Sequence, residues 1–383
     1  MKKTALIILC ALVFNVSNAQ DRVITTGVPF LLIAGDARSA GMGDIGVATS
    51  PDVYSQQWNP AKYAFSLDKQ GFSLSYTPYL TDLANDIALG QVTYFNRISE
   101  QSAFAASLRY FSLGEIEFRQ NADDTPNIVK PSELAVDLSY SLRLDERFSM
   151  SVAGRFISSS LRIPDGTGDA SAATSFAVDI SGYYQSEEIA YDDFNGRWRG
   201  GFNFQNLGPK LNYNNDDIDS NANFLPANMK LGGGFDFIFD EYNKVSLNLE
   251  VNKLLVPTPD FRNENGEVDP DKVNDYNSIG WTEGIFQSFG DAPDGMKEEL
   301  KEFTWALGAE YWYQDSFAIR AGYFNESEEK GARKFLSLGA GFKYNIVKLD
   351  VSYLFSASKV RNPLENTLRF SLSFAFGDQY DEY

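Results

Sequence analysis

The feature that most constrains this chain is an alternation of apolar and polar residues that recurs over stretches of roughly ten residues. In the last of these stretches, NTLRFSLSFAFGDQY, every second position from Leu368 to Phe376 is large and apolar, and Arg369 and Ser371 lie between them. A period of two indicates an extended strand with one apolar face and one polar face. The class of protein therefore depends on what each face contacts.

The same alternation predicts fourteen strands along the chain. It is clearest from Leu134 to Leu142, where Asp137, Ser139 and Ser141 separate apolar residues. Most runs are close to the roughly ten residues that a tilted strand needs to cross a bilayer. The predicted strands are 72–76, 87–95, 104–110, 134–142, 148–158, 174–184, 198–204, 229–239, 245–251, 303–313, 317–323, 336–344, 347–355 and 368–376.

The links between these strands give an independent test of a membrane barrel. After the first predicted strand, short links such as 97–101 and 145–147 alternate with long links, of which 255–302 is the longest. Outer-membrane barrels have short periplasmic turns and longer external loops. Both termini are then expected in the periplasm and the long loops outside the cell. One link, 185–196, is longer than this pattern predicts for a periplasmic turn.

The composition agrees with such a barrel. Aromatic residues make up 14% of the 383 residues, yet the mean hydropathy is negative, at −0.29. Lipid-facing apolar residues of a barrel are diluted one-to-one by polar residues, which produces this combination. The alternative is a soluble β-sandwich or a repeat array, but soluble strands rarely keep this length over so many elements. We therefore predict an all-β fold: a transmembrane β-barrel of about 14 antiparallel strands in the cell outer membrane, formed by residues 71–376 and followed by a periplasmic tail, 377–383.

Residues 1–19 predict a secretory signal peptide. Two lysines precede a short apolar run, and small residues follow it up to Ala19. This order is typical of an exported protein that is cleaved after the small residues. Cys10 lies inside the apolar run, so the mature chain is expected to contain no cysteine and no disulfide. A closed barrel needs none, because each backbone group in the membrane pairs with a neighbouring strand.

Residues 20–70 contain no long alternating run and precede the first predicted strand. Inward positions of the predicted strands carry charges of both signs, including Glu250, Glu310, Arg320 and Arg369. Such a lining is typical of a wide open pore or of a lumen that is filled and cross-linked by ion pairs. We predict that residues 20–70 fold inside the barrel as an N-terminal hatch. The alternative is a flexible periplasmic tail, for which Phe30 and Trp58 are too apolar.

Part of this segment, GDARSAGMGDIGVATSPDVYSQQWNPAKYAF, resembles the N-terminus of the PorV family, outer-membrane components of the type IX secretion system of Bacteroidetes. Its Asn-Pro-Ala step is also seen in the FadL-like fatty-acid-transporter barrels, whose fold is a fourteen-strand barrel with an N-terminal hatch. The resemblance covers essentially the whole chain and implies the same fold as the alternation. The residues that carry it, the predicted hatch motif, are Asp36, Ala37, Arg38, Ala40, Gly41, Met42, Gly43, Asp44, Asn59, Pro60 and Ala61.

The resemblance implies a function in protein secretion. A PorV-like subunit binds the C-terminal signal domain of exported cargo at the translocon and passes it to the cell-surface attachment machinery. The implied partners are a large outer-membrane translocon barrel, the cargo signal domains, the surface attachment protease and membrane lipid. The alternative, taken from the FadL-like group, is a channel for hydrophobic small molecules. Such a channel needs an apolar path, and the mostly charged or small inward residues favour the secretion role.

Composition argues against several kinds of chemistry. The chain has no histidine, which excludes Ser-His-Asp hydrolases, Cys-His enzymes and histidine metal sites. Its formal net charge of −19, without a basic stripe, argues against nucleic acid as a partner. Acidic stretches such as 214–217 and 260–275 are expected to be solvated loops, with calcium binding as the alternative. We therefore expect no enzymatic activity, no cofactor and no resident metal.

The longest link, 255–302, changes character along its length. Its first half is polar, acidic and rich in Pro and Gly, as expected of solvated external chain. Its second half contains SIGWTEGIFQSFGD, in which apolar residues cluster. A cluster of this kind exposed to water is typical of an interaction site, and the alternative is a lid that folds onto the barrel mouth. The predicted partner-binding residues are Ile279, Trp281, Ile285, Phe286 and Phe289.

Overall fold

The structure, a computed structural model, describes residues 23–81, 86–119, 125–162, 172–213, 222–263, 265, 267–358 and 362–380. These residues form a barrel wall and an N-terminal part, residues 23–67, which we call the inner segment. The link between the ninth and tenth wall strands, residues 255–302, is called the outer loop. The predicted signal peptide, residues 1–19, lies outside the described residues.

Fourteen long strands form the wall in the described part of the chain. Each strand pairs antiparallel with the next, and the first pairs with the last, so the sheet closes on itself. Closure leaves no free edge in the membrane, and the predicted fourteen-strand barrel is confirmed. The strands are β1 (Asp68–Pro78), β2 (Ile87–Arg97), β3 (Ser102–Leu113), β4 (Ser132–Asp145), β5 (Phe148–Ser160), β6 (Ala173–Gln185), β7 (Asn195–Leu207), β8 (Asn228–Ile238), β9 (Asn243–Leu254), β10 (Phe303–Tyr313), β11 (Phe317–Asn325), β12 (Lys334–Tyr344), β13 (Val347–Ser356) and β14 (Leu368–Gln379).

The wall is longer at both ends than the sequence predicts. β1 begins at Asp68 and not at residue 71, and β14 ends at Gln379 and not at residue 376, because Asp68 and Gln379 are partners in the register of these strands. The sequence there reads DKQG and GDQY, so no apolar residue alternates with a polar one and the pattern gives no signal. Less of the predicted tail, 377–383, therefore lies outside the wall, and the described residues end at Tyr380.

The two faces of each strand have different surroundings. In β14, Arg369 and Ser371 are buried, whereas Leu368 and Phe370 are exposed on the outside of the barrel. In β4, Leu138 is likewise exposed. Lipid covers an apolar band of this kind around an outer-membrane barrel. The apolar face of each strand therefore contacts lipid, and the polar face lines the lumen.

Short helices lie in the inner segment and in the outer loop. No helix in the described ranges is long and apolar enough to cross a membrane. A two-stranded ribbon, Ile116–Phe118 with Asn127–Val129, lies in the external loop between β3 and β4. The helices are α1 (Ala37–Ala40) and α2 (Ser55–Trp58) in the inner segment, and α3 (Pro270–Ser278), α4 (Trp281–Gln287) and α5 (Met296–Glu299) in the outer loop, with 3-10 turns at Pro29–Leu32, Pro60–Phe65 and Leu300–Glu302.

The long periplasmic link between β6 and β7 has a packing role. Its residues Ile189–Ala190 pair with the start of β7. The Phe194 ring lies 5.0 Å from the Tyr191 ring and 5.2 Å from the Phe237 ring of β8. Tyr191 also contacts Phe235 of β8 edge to face. The extra residues thus extend the sheet and cover aromatic side chains at the periplasmic end, which explains the length of this turn.

The inner segment lies inside the barrel. It accepts hydrogen bonds from, or donates them to, inward side chains on different sides of the wall, including Ser141 of β4, Asn203 of β7 and Ser371 of β14. An inward glycine also makes room for its backbone, because a Cβ atom at Gly322 of β11 would overlap the backbone of Met42. Glycine inside a strand often marks such a close backbone approach. Wall and inner segment are therefore complementary in shape as well as in polarity.

Candidate functional site: the inner segment and the outer loop

α1 is anchored at its first turn. The Asp36 carboxylate accepts hydrogen bonds from the Ser39 amide at 2.8 Å and from Trp58 Nε1 at 2.7 Å. The first of these bonds caps the helix. The Ala37 amide donates to Ser371 Oγ on β14 at 2.8 Å. The start of the helix is thus fixed both to the rest of the inner segment and to the wall.

Arg38 makes the principal ion pairs of the inner segment. Its Nε and Nη2 donate to the two carboxylate oxygens of Glu310 on β10, at 3.1 and 2.7 Å, the bidentate contact that arginine favours with a carboxylate. Its Nη1 donates to Asp52 at 2.6 Å. On the wall, Arg320 donates to Glu310 at 2.5 Å and lies 2.9 Å from Asp350. This buried network of opposite charges holds the inner segment at β10.

Met42, Gly43 and Asp44 follow α1 and lie against the wall. Gly43 has a φ of 82°, and its amide donates to Ser337 Oγ on β12 at 2.8 Å. A side chain at this position would be strained in that backbone conformation. Asp44 lies 3.2 Å from the guanidinium group of Arg369 on β14. The tight turn therefore lets the chain form a hydrogen bond to β12 and an ion pair with β14.

The Asn-Pro-Ala step joins two parts of the inner segment to the wall. Asn59 Nδ2 donates to the Val47 carbonyl and to the Gly182 carbonyl of β6, both at 2.9 Å. Asn59 Oδ1 accepts a hydrogen bond from the Ala61 amide at 3.1 Å and so caps the turn that Pro60 begins. One amide side chain thus ties the segment to itself, to the wall and to the following turn.

The wall residues that hold the inner segment were not identified from the sequence. Gly41 packs against Gly339 of β12, with 3.0 Å between the Gly339 Cα and the point where a Gly41 Cβ would lie. Glu250 of β9 accepts a hydrogen bond from the Gly46 amide at 2.8 Å. Glu250 and Glu310 were predicted to point inward, but their partners were not. The sequence signal was only that each acidic residue lies at an inward position. Its partner in the inner segment can be identified only from the three-dimensional structure.

A second set of contacts holds the start of the inner segment at the outer end of the lumen. The rings of Phe30 and Phe111 of β3 are stacked with centroids 6.1 Å apart, within an apolar cluster that also contains Leu31 and Leu89. Arg109 of β3 donates to the Phe30 and Leu31 carbonyls, each at 3.0 Å. The apolar part of the lumen is therefore occupied by side chains of the protein itself.

Charged side chains line two cavities beside the inner segment. A cavity of about 90 Å³ lies towards the outer rim, beside Trp58 and Lys230. A larger vestibule of about 440 Å³ lies at the periplasmic end, and charged side chains line it, including Arg38, Asp236 and Lys348. These cavities therefore present charged groups to anything that enters them.

The five predicted partner-binding residues of the outer loop are not equivalent in the structure. Phe286 and Phe289 are 79% and 46% exposed. Ile279, Trp281 and Ile285 are half-buried in the packing of the loop. The structure therefore leaves two of the five as free apolar surface and covers the other three in part.

Two further exposed apolar residues lie in the second half of the same loop. Met296 and Leu300 are 72% and 63% exposed. The sequence analysis missed them because they lie in the charged stretch MKEELKE, where the alternation of the strands is absent. With Phe286 and Phe289 they form the set that we call the exposed loop residues.

The outer loop is a folded unit, and its first half, predicted to be solvated external chain, contains a helix without buried residues. α3 begins there, capped by Asp269, whose carboxylate accepts a hydrogen bond from the Asp271 amide at 3.0 Å. Pro270 occupies the first turn, a common start of a helix. The Tyr276 hydroxyl donates to the Pro257 carbonyl at 3.1 Å and so ties α3 to the start of the loop. The Asp-Pro pair was a helix signal that the acidic composition obscured.

The base of the outer loop contains an ion cluster. Lys253 Nζ lies 2.6 Å from Glu302 Oε2 and 2.8 Å from Glu299 Oε1. Lys330 Nζ lies 2.9 Å from Glu302 Oε1. Burial raises the pKa of the nearby Asp291 carboxyl to about 6, although a hydrogen bond from a backbone amide acts in the opposite direction. The cluster joins the end of the loop to β9 and to the external link after β11.

These features describe an outer-membrane barrel whose lumen holds its own N-terminal segment. The family description "Type IX secretion system protein PorV" matches residues 16–261, which include the whole inner segment and β1 to β9. The chain belongs to the PorV family. The predicted resemblance to this family is thereby confirmed, and the chain is an outer-membrane component of the type IX secretion system.

Solved transporter structures share the barrel fold. The Pseudomonas putida toluene transporter TodX superposes with a TM-score of 0.51 at 12% identity, over 92% of this chain and 98% of TodX. The CymD monoaromatic hydrocarbon channel superposes with a TM-score of 0.50 at 13% identity, over 90% of this chain and 98% of CymD. A Pseudomonas aeruginosa FadL homologue superposes with a TM-score of 0.47 at 13% identity, over 90% of this chain and 99% of the homologue. At such identities, TodX and CymD show a common fold only. No curated protein matches the chain.

Proposed function

We propose that this PorV-family barrel binds the C-terminal signal domain of exported cargo at the type IX translocon and passes the cargo to the cell-surface attachment machinery. The family match supports the role in secretion. The observation that carries the finer proposal is the folded outer loop, which leaves Phe286, Phe289, Met296 and Leu300 exposed. Exposed apolar side chains on a fixed support are typical of sites where proteins dock.

In this proposal the exposed loop residues contact the large translocon barrel, and cargo is bound beside them. The alternative is that the loop serves as a lid on its own barrel, which would bury its apolar residues. Trp281 and Ile285 are half-buried, whereas Phe286 is among the most exposed apolar residues of the described chain. A buried aromatic anchor of an interface often contributes about 2 kcal/mol or more to binding, so two phenylalanines suffice for a docking element.

The inner segment acts as a plug in this proposal. Support comes from the Arg38–Glu310 ion pair, from the hydrogen bond between Glu250 and the Gly46 amide, and from the apolar cluster around Phe30. The second candidate function is a channel for hydrophobic small molecules, since TodX and CymD are by name a toluene transporter and a hydrocarbon channel. The charged residues of the vestibule, among them Arg38, Asp236 and Lys348, disfavour this second candidate, because a channel for apolar solutes needs an uncharged path.

The chain acts by binding and not as an enzyme in this proposal. It has no histidine to serve as a general base or a metal ligand. Its proposed partners are the translocon barrel, the cargo signal domains, the surface attachment protease and the lipid around the wall. Contact with lipid is supported by the exposed apolar band of the strands, for example Leu138.

The double substitution Phe286→Ser and Phe289→Ser tests the docking element. Trp281 is left unchanged because it is half-buried and not part of the free apolar surface. We expect the variant to recover at least about tenfold less translocon barrel than the wild type when it is purified from the outer membrane in mild detergent, because two interface anchors are lost. Quantitative immunoblots of translocon and cargo measure the loss.

The matched control is Ile128→Ser, the same kind of change at a residue that is 55% exposed on the ribbon of a different external loop. It should leave recovery of the translocon unchanged. Heat-modifiable migration shows that each variant barrel is folded. If the double variant still brings down translocon and cargo in wild-type amounts, the exposed loop residues are not the docking element.

A further inference from the structure

The two ends of the outer loop meet at a buried group of carboxylates. Thr258, four residues after β9, donates its hydroxyl to Glu302 Oε1 at 2.5 Å and its amide to Asp291 Oδ2 at 2.9 Å. Carboxylate oxygens of Asp291, Glu299 and Glu302 all lie within 4.8 Å of one another. Residues that are far apart along the loop thus converge on one small volume.

This cluster carries an excess of negative charge. Four carboxylates against two ammonium groups leave a formal charge of −2 when all six groups are ionised. An excess of this size is costly at a buried site unless protons or a cation neutralise it. The carboxylates are those of Asp291, Glu298, Glu299 and Glu302, and the ammonium groups are those of Lys253 and Lys330.

Three carboxylate oxygens of the cluster accept no hydrogen bond from the described residues. Glu302 accepts hydrogen bonds from two lysines and a threonine hydroxyl. Glu299 is only 5% exposed, yet neither of its oxygens accepts a hydrogen bond from any described residue, and Lys253 approaches Oε1 alone. Asp291 Oδ1 is also buried without a hydrogen-bond partner. A buried carboxylate oxygen that accepts no hydrogen bond is costly. Glu299 Oε2 and Asp291 Oδ1 are therefore each available to coordinate a cation.

We propose that Asp291, Glu299 and Glu302 bind a calcium ion at the base of the outer loop. Calcium binds oxygen at about 2.3–2.6 Å, so two oxygens on one ion lie up to about 5 Å apart. The 4.8 Å limit that the three carboxylates meet is within this span. The ligands are all carboxylates, which suit hard cations such as Ca²⁺ better than the metals that bind imidazole or thiolate. One Ca²⁺ balances the formal charge of the cluster.

The ion would fix the part of the loop that presents its apolar surface. Asp291 lies two residues after Phe289, and Glu299 lies directly before Leu300. Coordination of both carboxylates therefore restrains the backbone next to Phe289 and Leu300, two of the exposed loop residues. The site does not depend on which partner docks there, so it is independent of the proposed secretion function.

Isothermal titration of the full-length folded barrel in detergent, first stripped with EDTA, tests the site with CaCl₂ as the probe. We expect one ion per chain and a dissociation constant of about 10⁻⁴–10⁻³ M, the range of extracellular calcium sites. Glu299→Gln and Asp291→Asn should each weaken binding at least about tenfold, because each removes a charged ligand. In parallel, calcium should slow proteolytic cleavage within residues 255–302 of the wild type and not of these variants.

The matched control is Asp260→Asn. Asp260 lies in the same loop and pairs with Lys272 at 2.8 Å, outside the cluster. Its substitution should leave calcium affinity and protease protection unchanged. The proposal is overturned if a barrel with normal heat-modifiable migration shows no saturable calcium binding, or if Glu299→Gln binds calcium as the wild type does. Equal affinity for Mg²⁺, which demands a more regular octahedral site, would overturn the assignment of the ion.

Discussion

At the scale of single residues, buried ion pairs position the inner segment in the lumen. Glu310 accepts hydrogen bonds from Arg38 of the inner segment and from Arg320 of the wall. Forming such a pair costs desolvation, so its net contribution to stability is small, but removing one partner leaves a charge buried without compensation. The pairs therefore act mainly by making other placements of the segment unfavourable.

Glu310→Gln should destabilise the folded barrel by about 3–5 kcal/mol, because Arg38 and Arg320 both lose their carboxylate partner in a buried site. The free energy of unfolding in urea, measured in lipid vesicles, gives this value. The matched control is Glu187→Gln, which breaks the exposed Arg147–Glu187 pair at the periplasmic rim and should leave the free energy of unfolding unchanged. Equal effects of the two substitutions would contradict the role of the buried network.

Glycines on the two faces of the wall should respond differently to the same substitution. Gly322→Ala places a methyl group where the backbone of Met42 lies, so we expect a loss of about 1–3 kcal/mol from overpacking. At Gly154 no atom lies within 4 Å of the new methyl group, so Gly154→Ala should be neutral. The same unfolding measurement compares them, and a neutral Gly322→Ala would show that the inner segment does not press on β11.

At the scale of the element, the lipid outside and the inner segment inside set the pattern of each strand. Because lipid favours apolar side chains at outward positions, the period of two survives in the sequence and all fourteen strands were predicted from it. The strand ends at Asp68 and Gln379 escaped prediction because both faces are polar there. α3 escaped because a short polar helix on a loop leaves only its Asp-Pro start as a signal.

Leu247→Arg tests the lipid-facing assignment. Leu247 is exposed on the outer face near the middle of β9, so an arginine there should cost about 2–4 kcal/mol of unfolding free energy. Leu247→Met keeps the position apolar and should cost little. Ser139, on the lumenal face, is no tolerant counterpart for arginine, because its hydroxyl donates to Gln56 of the inner segment at 2.6 Å. An arginine tolerated at residue 247 would show that the register of the faces is reversed.

At the scale of the whole molecule, a closed wall supports two units with different tasks. The inner segment fills the lumen, and the outer loop is fixed at its base by the ion cluster around Lys253. The motif residues Arg38 and Asn59 were found from a family resemblance, because their wall partners, Glu310 and Gly182, lie on strands distant in sequence. Nothing in the local pattern relates residue 38 to residue 310, so spacing alone does not reveal these contacts.

The most direct test of this account is affinity purification of the native protein from the outer membrane in mild detergent. If the chain is a docking subunit of the secretion system, it should emerge with a very large translocon barrel and with exported cargo that carries the C-terminal signal domain. Mass spectrometry identifies both, and a strain in which cargo export is blocked upstream should yield the translocon without cargo. Recovery of the folded barrel alone with lipid, under conditions that keep other outer-membrane complexes intact, would contradict the account.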